Sequence, residues 1–362
     1  MPRTDPFDQQ RTRARRQRLR DLLASEHDGA PLVVTDPLNV RYLSGFDGSS
    51  GALVVTMDGA MLHTDSRYVT QAADEAAGIE VRQSRDPLTG ALEETGGALL
   101  LEGHHLSAAR WEGLGRRDAR LRLAPDLVAR LRAVKDDAET ACLRRACALS
   151  AAALQQVLSG GVLGRSERDV ARELEWLLAD GEGEGPGFPS IVAAGPNSAR
   201  PHHSPTDRPI GRGDLLKIDF GARVRGYHAD LTRTFLVDAT PEGWQAEIHG
   251  LVAAAVAAGC AAAVPGMEIA QVDGAARGVI EQAGHGEHFG HGLGHGVGLA
   301  IHERPLIGPR ADGTLGRGMV ITIEPGVYLP GRGGVRIEET AEVGPQGCQP
   351  LVDVARDLLV VR

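Results

Sequence analysis

The chain has 362 residues, 42% of them hydrophobic, and a formal net charge of −9. That length points to two domains or one large one, with enough apolar content for ordinary cores, and the acidic balance argues against nucleic acid as a partner. The four cysteines, Cys142, Cys147, Cys260 and Cys348, form no CxxC pair, which suits a reduced, cytoplasmic protein.

The basic segment RTRARRQRLRDLL has no apolar stretch after it, so it does not read as a signal peptide. It could be a nucleic-acid arm, but an amphipathic first helix over 8–25 with a solvated arginine face is the favoured reading. Strands are predicted at 31–35, 51–57, 61–64, 79–83 and 98–103, with a helix at 69–76. They make a mixed α/β domain over 1–133. A second domain, 134–362, opens on a helical pattern at 138–158 that stops at Gly160 and Gly161. The next helix, 166–181, begins with Ser166 and Asp169 spaced as a capping box. Residues 164–188 and 266–290 share one layout: a Gly turn, an amphipathic helix and a Gly-rich exit. A duplicated half closing around a central site would produce this; two unrelated helices with Gly exits would too. The longest apolar run, 251–264, is too short and too Ala-rich to span a bilayer, so no membrane partner is expected.

Five candidate metal ligands follow in order: Asp219 in KIDFGA, Asp230 in HADLTRTF, His295 in HGLGHGVG, Glu324 in ITIEPG and Glu338 in VRIEET. Strand parity puts Asp219 opposite Leu216, Ile218 and Phe220, and Glu338 opposite Val335 and Ile337. In each case a core-quality strand offers one acid to its other face, which is costly unless something pairs with it. Four carboxylates and an imidazole form a hard, oxygen-rich set able to hold two divalent ions. The alternating glycines at 290–298 suit close backbone approach rather than a helix. His291, His295 and His302 are all candidates there. His202 and His203 sit upstream in a Pro-punctuated loop that would by itself read as solvated.

At these residues the sequence resembles the proline-specific metallopeptidases: Xaa-Pro aminopeptidase and Xaa-Pro dipeptidase. The resemblance rests on Asp-x10-Asp, HGxGHxxGLxxHE, EPGxY and RIE, with NVRYLSGFDGSSGAL (39–53) and LHTDSRY (62–68) near the N-terminus. It implies an α+β fold: a creatinase-type N-terminal α/β domain followed by a pita-bread catalytic domain of two related halves. It implies that Asp219 chelates one metal, that Asp230 and Glu338 bridge two, and that His295 and Glu324 complete the second. The family metal is usually manganese, with cobalt or zinc possible. His202 matches the upstream family histidine, leaving His203 dispensable. His291 and His302 match the substrate and transition-state histidines; Arg336 and Tyr328 match residues near the substrate. A metal-bridging hydroxide would attack the carbonyl before proline and give its proton to Glu324. One departure bears on substrate length. Dipeptidases of the family often carry an arginine where this chain has Leu306, which favours an aminopeptidase on longer peptides, with a dipeptidase as the alternative. The resemblance also implies a homodimer. A metal-free binding module of the same fold is disfavoured because all five ligands are present.

Overall fold

A computed structural model describes residues 5–115 and 121–362. The chain divides into two compact units, Met1–Arg132 and Ala133–Arg362.

The first unit runs α1 (Gln9–Glu26), β1 (Leu32–Val34), α2 (Pro37–Ser44), β2 (Gly51–Val55), β3 (Ala60–Thr64), α3 (Val69–Glu75), β4 (Glu80–Gln83), α4 (Pro87–Glu94), β5 (Leu99–Glu102), α5 (Ala108–Gly115), β6 (Leu121–Ala124) and α6 (Leu127–Ala133). Its strands form one sheet in the order β4-β3-β2-β1-β5-β6. Val33, Val54, Leu99 and Leu101 pack there against Leu88, Ala91 and Leu92 of α4. The helices α2 and α4 carry no readable helical period in the sequence because each is a short run of eight residues. Both begin with the same device, an aspartate N-cap followed by proline: Asp36 accepts from the Leu38 N–H and Asp86 from the Thr89 N–H. The expected solvated arginine face of α1 is only partly so. Arg15 and Arg16 are buried, and their guanidinium groups donate to the carbonyls of Tyr42 and Leu43 at the end of α2. Those terminal carbonyls lack helical partners, which is why arginine is drawn inward.

The second unit opens on α7 (Asp137–Ser159) and α8 (Glu167–Leu178). Asp136 and Glu139 form a reciprocal capping box on α7. On α8 only half of the expected box forms: Ser166 accepts from the Asp169 N–H, while the Asp169 carboxylate takes the Ser166 hydroxyl instead of a backbone N–H. Then come β7 (Ile191–Ala194), β8 (Leu215–Phe220), β9 (Arg223–Val224), β10 (Tyr227–His228) and β11 (Leu231–Val237). The helices α9 (Gly243–Ala262) and α10 (Ile269–Gln282) follow. The chain ends with β12 (Gly294–Gly296), β13 (Glu303–Ile307), β14 (Val320–Ile323), β15 (Gly326–Leu329), β16 (Gly333–Arg336), β17 (Glu339–Gly344), β18 (Gly347–Pro350) and β19 (Val360–Val361).

Two cores result, each a helix pair on a sheet. Leu154, Val157, Val170 and Leu174 of α7 and α8 pack on Leu216, Ile218, Phe220, Leu231 and Phe235 of the sheet β19-β11-β8-β7. Val252, Val256, Val272 and Ala276 of α9 and α10 pack on Ile321, Ile323, Ala341 and Val343 of the sheet β13-β12-β14-β17-β18. The two segments of similar layout supply α8 to one core and α10 to the other, as a duplicated half requires. By length and composition alone α9 could cross a membrane; here its Ile248, Val252 and Val256 face is core.

Candidate metal centre

The two sheets of the second unit meet along β11 and the segment from Arg336 to Thr340, and threonine hydroxyls stitch the seam. Thr232 donates its hydroxyl to Glu338 Oε2 at 2.6 Å, and its carbonyl accepts the Glu338 N–H at 3.0 Å. Thr234 donates to the Arg336 carbonyl, and Thr340 donates to the Asp230 carbonyl while accepting the Asp230 N–H. Arg233 clamps the outside of the seam, bonding the carbonyls of Thr232 and Glu338 and the Glu339 carboxylate. β-branched hydroxyl residues suit this place because they serve the strand pattern and offer a short, stiff donor.

Not all five predicted ligands lie within strands. Asp219 is inside β8 and His295 inside β12; Asp230 and Glu324 sit one residue outside β11 and β14, and Glu338 fills the break between β16 and β17. The shift has a cause: each acid needs its side chain aimed between the sheets, where strand pairing stops. β8 and β11 pair antiparallel with Asp219 opposite Thr232, so Asp219 and Asp230 share a face. Gly221 makes the turn between them possible, because a Cβ there would lie 1.8 Å from the Ala229 carbonyl oxygen. The same closeness explains two of the alternating glycines: a Cβ on Gly294 would meet the Thr322 carbonyl at 2.1 Å, and one on Gly296 the Arg304 carbonyl at 2.2 Å.

The structure brings all five ligands to one cleft of about 850 Å³. Ligand atoms of Asp230, His295 and Glu338 lie within 4.8 Å of one another. His295 Nε2 is 3.5 Å from Asp230 Oδ2 and 3.4 Å from Glu324 Oε1. Its Nδ1 is 3.0 Å from the Gly296 carbonyl, which can only accept, so Nδ1 carries the proton and Nε2 presents a lone pair to the acids. Asp219 Oδ2 accepts from Arg336 Nη2, while its Oδ1 is buried with no hydrogen-bond partner. An orphaned buried carboxylate oxygen on a residue of the same cleft is what a cation site leaves open. Burial and the neighbouring Glu338, Asp219 and Glu324 push Asp230 well above the usual carboxylate range. Burial, Glu324 and Asp219 do the same to Glu338. Burial pushes Glu324 up to about 7, with Arg336 opposing and Asp219 adding to the rise. Acids this close ionise together only if cations balance them. The donor set therefore fits divalent ions bound by carboxylate oxygens and one imidazole.

Around the cluster the histidines divide. The His302 ring stands edge-on to His295 with centroids 4.4 Å apart. Burial lowers the His302 pKa and nearby His202 lowers it further. His202 is exposed on the cleft wall. His203 is buried, with Nε2 2.8 Å from Glu167 Oε2. The loop is thus pinned at His203 by a buried hydrogen bond, while most of its other residues stay exposed or half-buried, as its composition suggests.

His291 lines the cleft, but both ring nitrogens bond to protein: Nδ1 to the Gly292 carbonyl at 2.8 Å and Nε2 to the Tyr328 hydroxyl at 3.0 Å. Burial pushes the Tyr328 pKa up to about 12, so the phenol keeps its proton and donates it to His291 while accepting from Arg336 Nη1. Arg336 is occupied too, bonding Thr232 Oγ1, the Pro201 carbonyl, Tyr328 and Asp219. It orders Asp219 and, through Thr232, Glu338. Sequence reasoning missed three residues. Glu167, wholly buried, hid behind the Ser166 cap. Arg310, exposed on the cleft wall, carries no sequence signal. Lys217 did carry one, as one of only two lysines and in mid-strand.

Residues 141–345 match the model of metallopeptidase family M24, and residues 15–134 match the creatinase/prolidase N-terminal domain. An Xaa-Pro dipeptidase of Pyrococcus furiosus is 36% identical over 332 residues, covering 91% of this chain and 94% of that protein. Among solved structures, an Xaa-Pro dipeptidase from Bacillus anthracis superposes with a TM-score of 0.91 at 33% identity, over 96% of this chain and 99% of that one. An X-Pro aminopeptidase from Thermotoga maritima gives a TM-score of 0.83 at 32% identity, over 92% and 98%.

Proposed function

From the premise that this chain belongs to metallopeptidase family M24, with a creatinase-type N-terminal domain and a pita-bread catalytic domain, we propose that it hydrolyses Xaa-Pro bonds at the N-terminus of peptides. The observation that carries the reading is the convergence of the unpartnered Asp219 Oδ1 and the bare His295 Nε2 on Asp230, Glu324 and Glu338. Those five residues would hold two divalent ions, which supply a polarised carbonyl and a water acidic enough to attack at neutral pH. The chain's own groups do the rest. Glu324, beside the cluster, takes the proton of the attacking water and returns it to the proline nitrogen, a poor leaving group until protonated. His302 donates to the developing oxyanion, with His202 across the cleft from it. Arg336 fixes Asp219 and, through Thr232, Glu338.

Phe188, Pro189, Ile301, Leu306 and Pro309 give the cleft an apolar wall that suits a proline ring. Leu306 is 63% exposed on that wall. Its apolar side chain, together with the occupied Arg336, supports cleavage of longer chains by an aminopeptidase. A dipeptidase is favoured by a different observation: Arg310 on the same wall has no hydrogen-bond or ion-pair partner among the described residues. The dipeptidase names of similar proteins point the same way. Turnover of Xaa-Pro against Xaa-Pro-Yaa in manganese tests the reading; inertness toward both would remove it. Manganese as the metal, a homodimer and a cytoplasmic location belong to the same proposal.

A further inference from the structure

The segment that carries His202 is held at three places. At its ends, Glu167 accepts from the Ala194 N–H and Asn197 amide with one oxygen and from His203, the Thr206 N–H and the Thr206 hydroxyl with the other. Further in, Ser198 accepts the Gly334 N–H at 2.9 Å. At the centre sits Lys217. Its ammonium donates to the Arg200 carbonyl at 2.6 Å and the Pro201 carbonyl at 3.3 Å, the two peptide units leading into His202. Arg336 meets the Pro201 carbonyl from another side at 3.2 Å.

Lys217 is wholly buried in β8 and does not line the cleft. It shares a strand face with Asp219, two residues away. Its ammonium also lies 5.0 Å from the centroid of the Tyr328 ring, whose hydroxyl joins Arg336 to His291. An ammonium has three donors and no acceptor. Here two reach consecutive carbonyls and the third side faces an aromatic ring, contacts that answer the burial and the nearby Arg336, both of which lower the ammonium's pKa. Burying such a group in a strand is costly unless its bonds matter. No other bond to the Arg200 carbonyl is present among the described residues, so Lys217 alone fixes that peptide plane.

We propose that Lys217 is a positioning residue for His202: it sets the backbone before that histidine against the ring of Tyr328 and so holds the imidazole at the cleft. The proposal rests on the peptidase reading for its kinetic part only. Orientation errors of an ångström at a reacting centre lower turnover without abolishing binding, so the effect belongs in kcat.

The test compares Lys217→Met, which keeps the bulk and removes the donors, with Lys217→Gln, of similar length with an amide donor. In manganese-loaded protein the Met variant should keep its metal content and lose about 10–100-fold in kcat with KM changed less than about threefold. The Gln variant should retain several times the kcat of the Met variant. Independently of activity, the rate at which diethylpyrocarbonate modifies His202, read by peptide mass spectrometry, should shift at least about threefold in the Met variant while His302 is unchanged. An unchanged His202 rate, or equal losses in both variants accompanied by loss of metal, overturns the proposal. If the Met variant does not fold, the Gln variant against the unaltered protein decides by the same two readouts. If the unaltered protein cleaves no Xaa-Pro peptide, the substrate reading fails, and the His202 labelling still decides about Lys217.

Discussion

Thr232 and Glu338 are joined twice, by hydroxyl to carboxylate at 2.6 Å and by carbonyl to N–H at 3.0 Å. The same hydroxyl accepts from Arg336 Nε at 3.1 Å. Thr232 is thus the point where one candidate ligand, the arginine that orders another, and the seam between the two sheets coincide. Thr232→Val keeps the shape and removes the hydroxyl. It should destabilise by about 1–3 kcal/mol, the cost of leaving buried polar partners unpaired. It should also weaken metal retention by about 10–100-fold. Thermal melts with and without chelator, and metal content after dialysis, check both.

Metal dependence follows from the orphaned Asp219 Oδ1 and the crowded acids. A chelator should abolish turnover and manganese should restore it. Asp230→Asn removes a charge from the centre of the cluster and should lose at least one equivalent of metal by elemental analysis. A metal-free preparation with full activity would sink the peptidase reading.

The histidines should separate cleanly. His302→Ala should keep its metal and lose about 100–1,000-fold in kcat, the usual consequence of removing an oxyanion donor. The sequence expects His203→Ala to be mild for turnover; its burial against Glu167 gives it a part in stability instead. His203→Ala leaves a buried carboxylate short of a partner and should lower stability by about 1–3 kcal/mol. Denaturant melts distinguish the two: a stability loss for His203, a turnover loss at unchanged stability for His302.

Much of this centre was legible because parity and spacing are local. One acid on each core-quality strand, and glycines at alternate positions, can be read without knowing the partner strands. The breaks at Asp230, Glu324 and Glu338 were not legible, since a strand's end depends on what it pairs with. Nor were the bonds of Glu167 and Lys217, whose hydrogen-bond partners lie 16 to 39 residues away. The repeated DPL at 36–38 and 86–88 announced two helices that periodicity alone passed over.

Glu167 also gives a pH dependence. Burial opposes its charge, but the bonds from Ala194, Asn197, Thr206 and His203 outweigh it, so its pKa is lowered from 4.5. A carboxyl whose folded pKa is depressed adds stability that is present above its unfolded pKa and is lost as pH falls through the folded one. Stability should therefore decline as pH drops below about 4.5. Glu167→Gln should be less stable at pH 7 and show a shallower loss across that acid window. Urea melts at several pH values check it, and parallel curves for the two proteins would contradict it.

Substrate length turns on Arg310. An Xaa-Pro dipeptide carries its carboxylate directly on the proline, so its site must answer a charge close to the cleaved bond. Arg336 has no pair of donors left for it, because four of its five N–H groups already serve Asp219, Tyr328, Thr232 and Pro201. Leu306, beside His295 in the pairing of β12 with β13, offers only apolar surface. Arg310 lies three residues past the end of β13, exposed on the cleft wall and without a partner among the described residues. A guanidinium there can bond a carboxylate with two parallel donors. Hydrogen bonds to charged groups are worth about 1.5–3 kcal/mol, which is about 10–150-fold in an equilibrium constant. If Arg310 grips the dipeptide, Arg310→Leu should raise KM for Ala-Pro by roughly that factor. Ala-Pro-Ala, whose carboxylate sits one residue further out, should be much less affected. If Ala-Pro is already a poor substrate of the unaltered protein and the substitution leaves both peptides alone, the cleft belongs to an aminopeptidase. Steady-state kinetics on the two peptides, in both proteins, separates these outcomes.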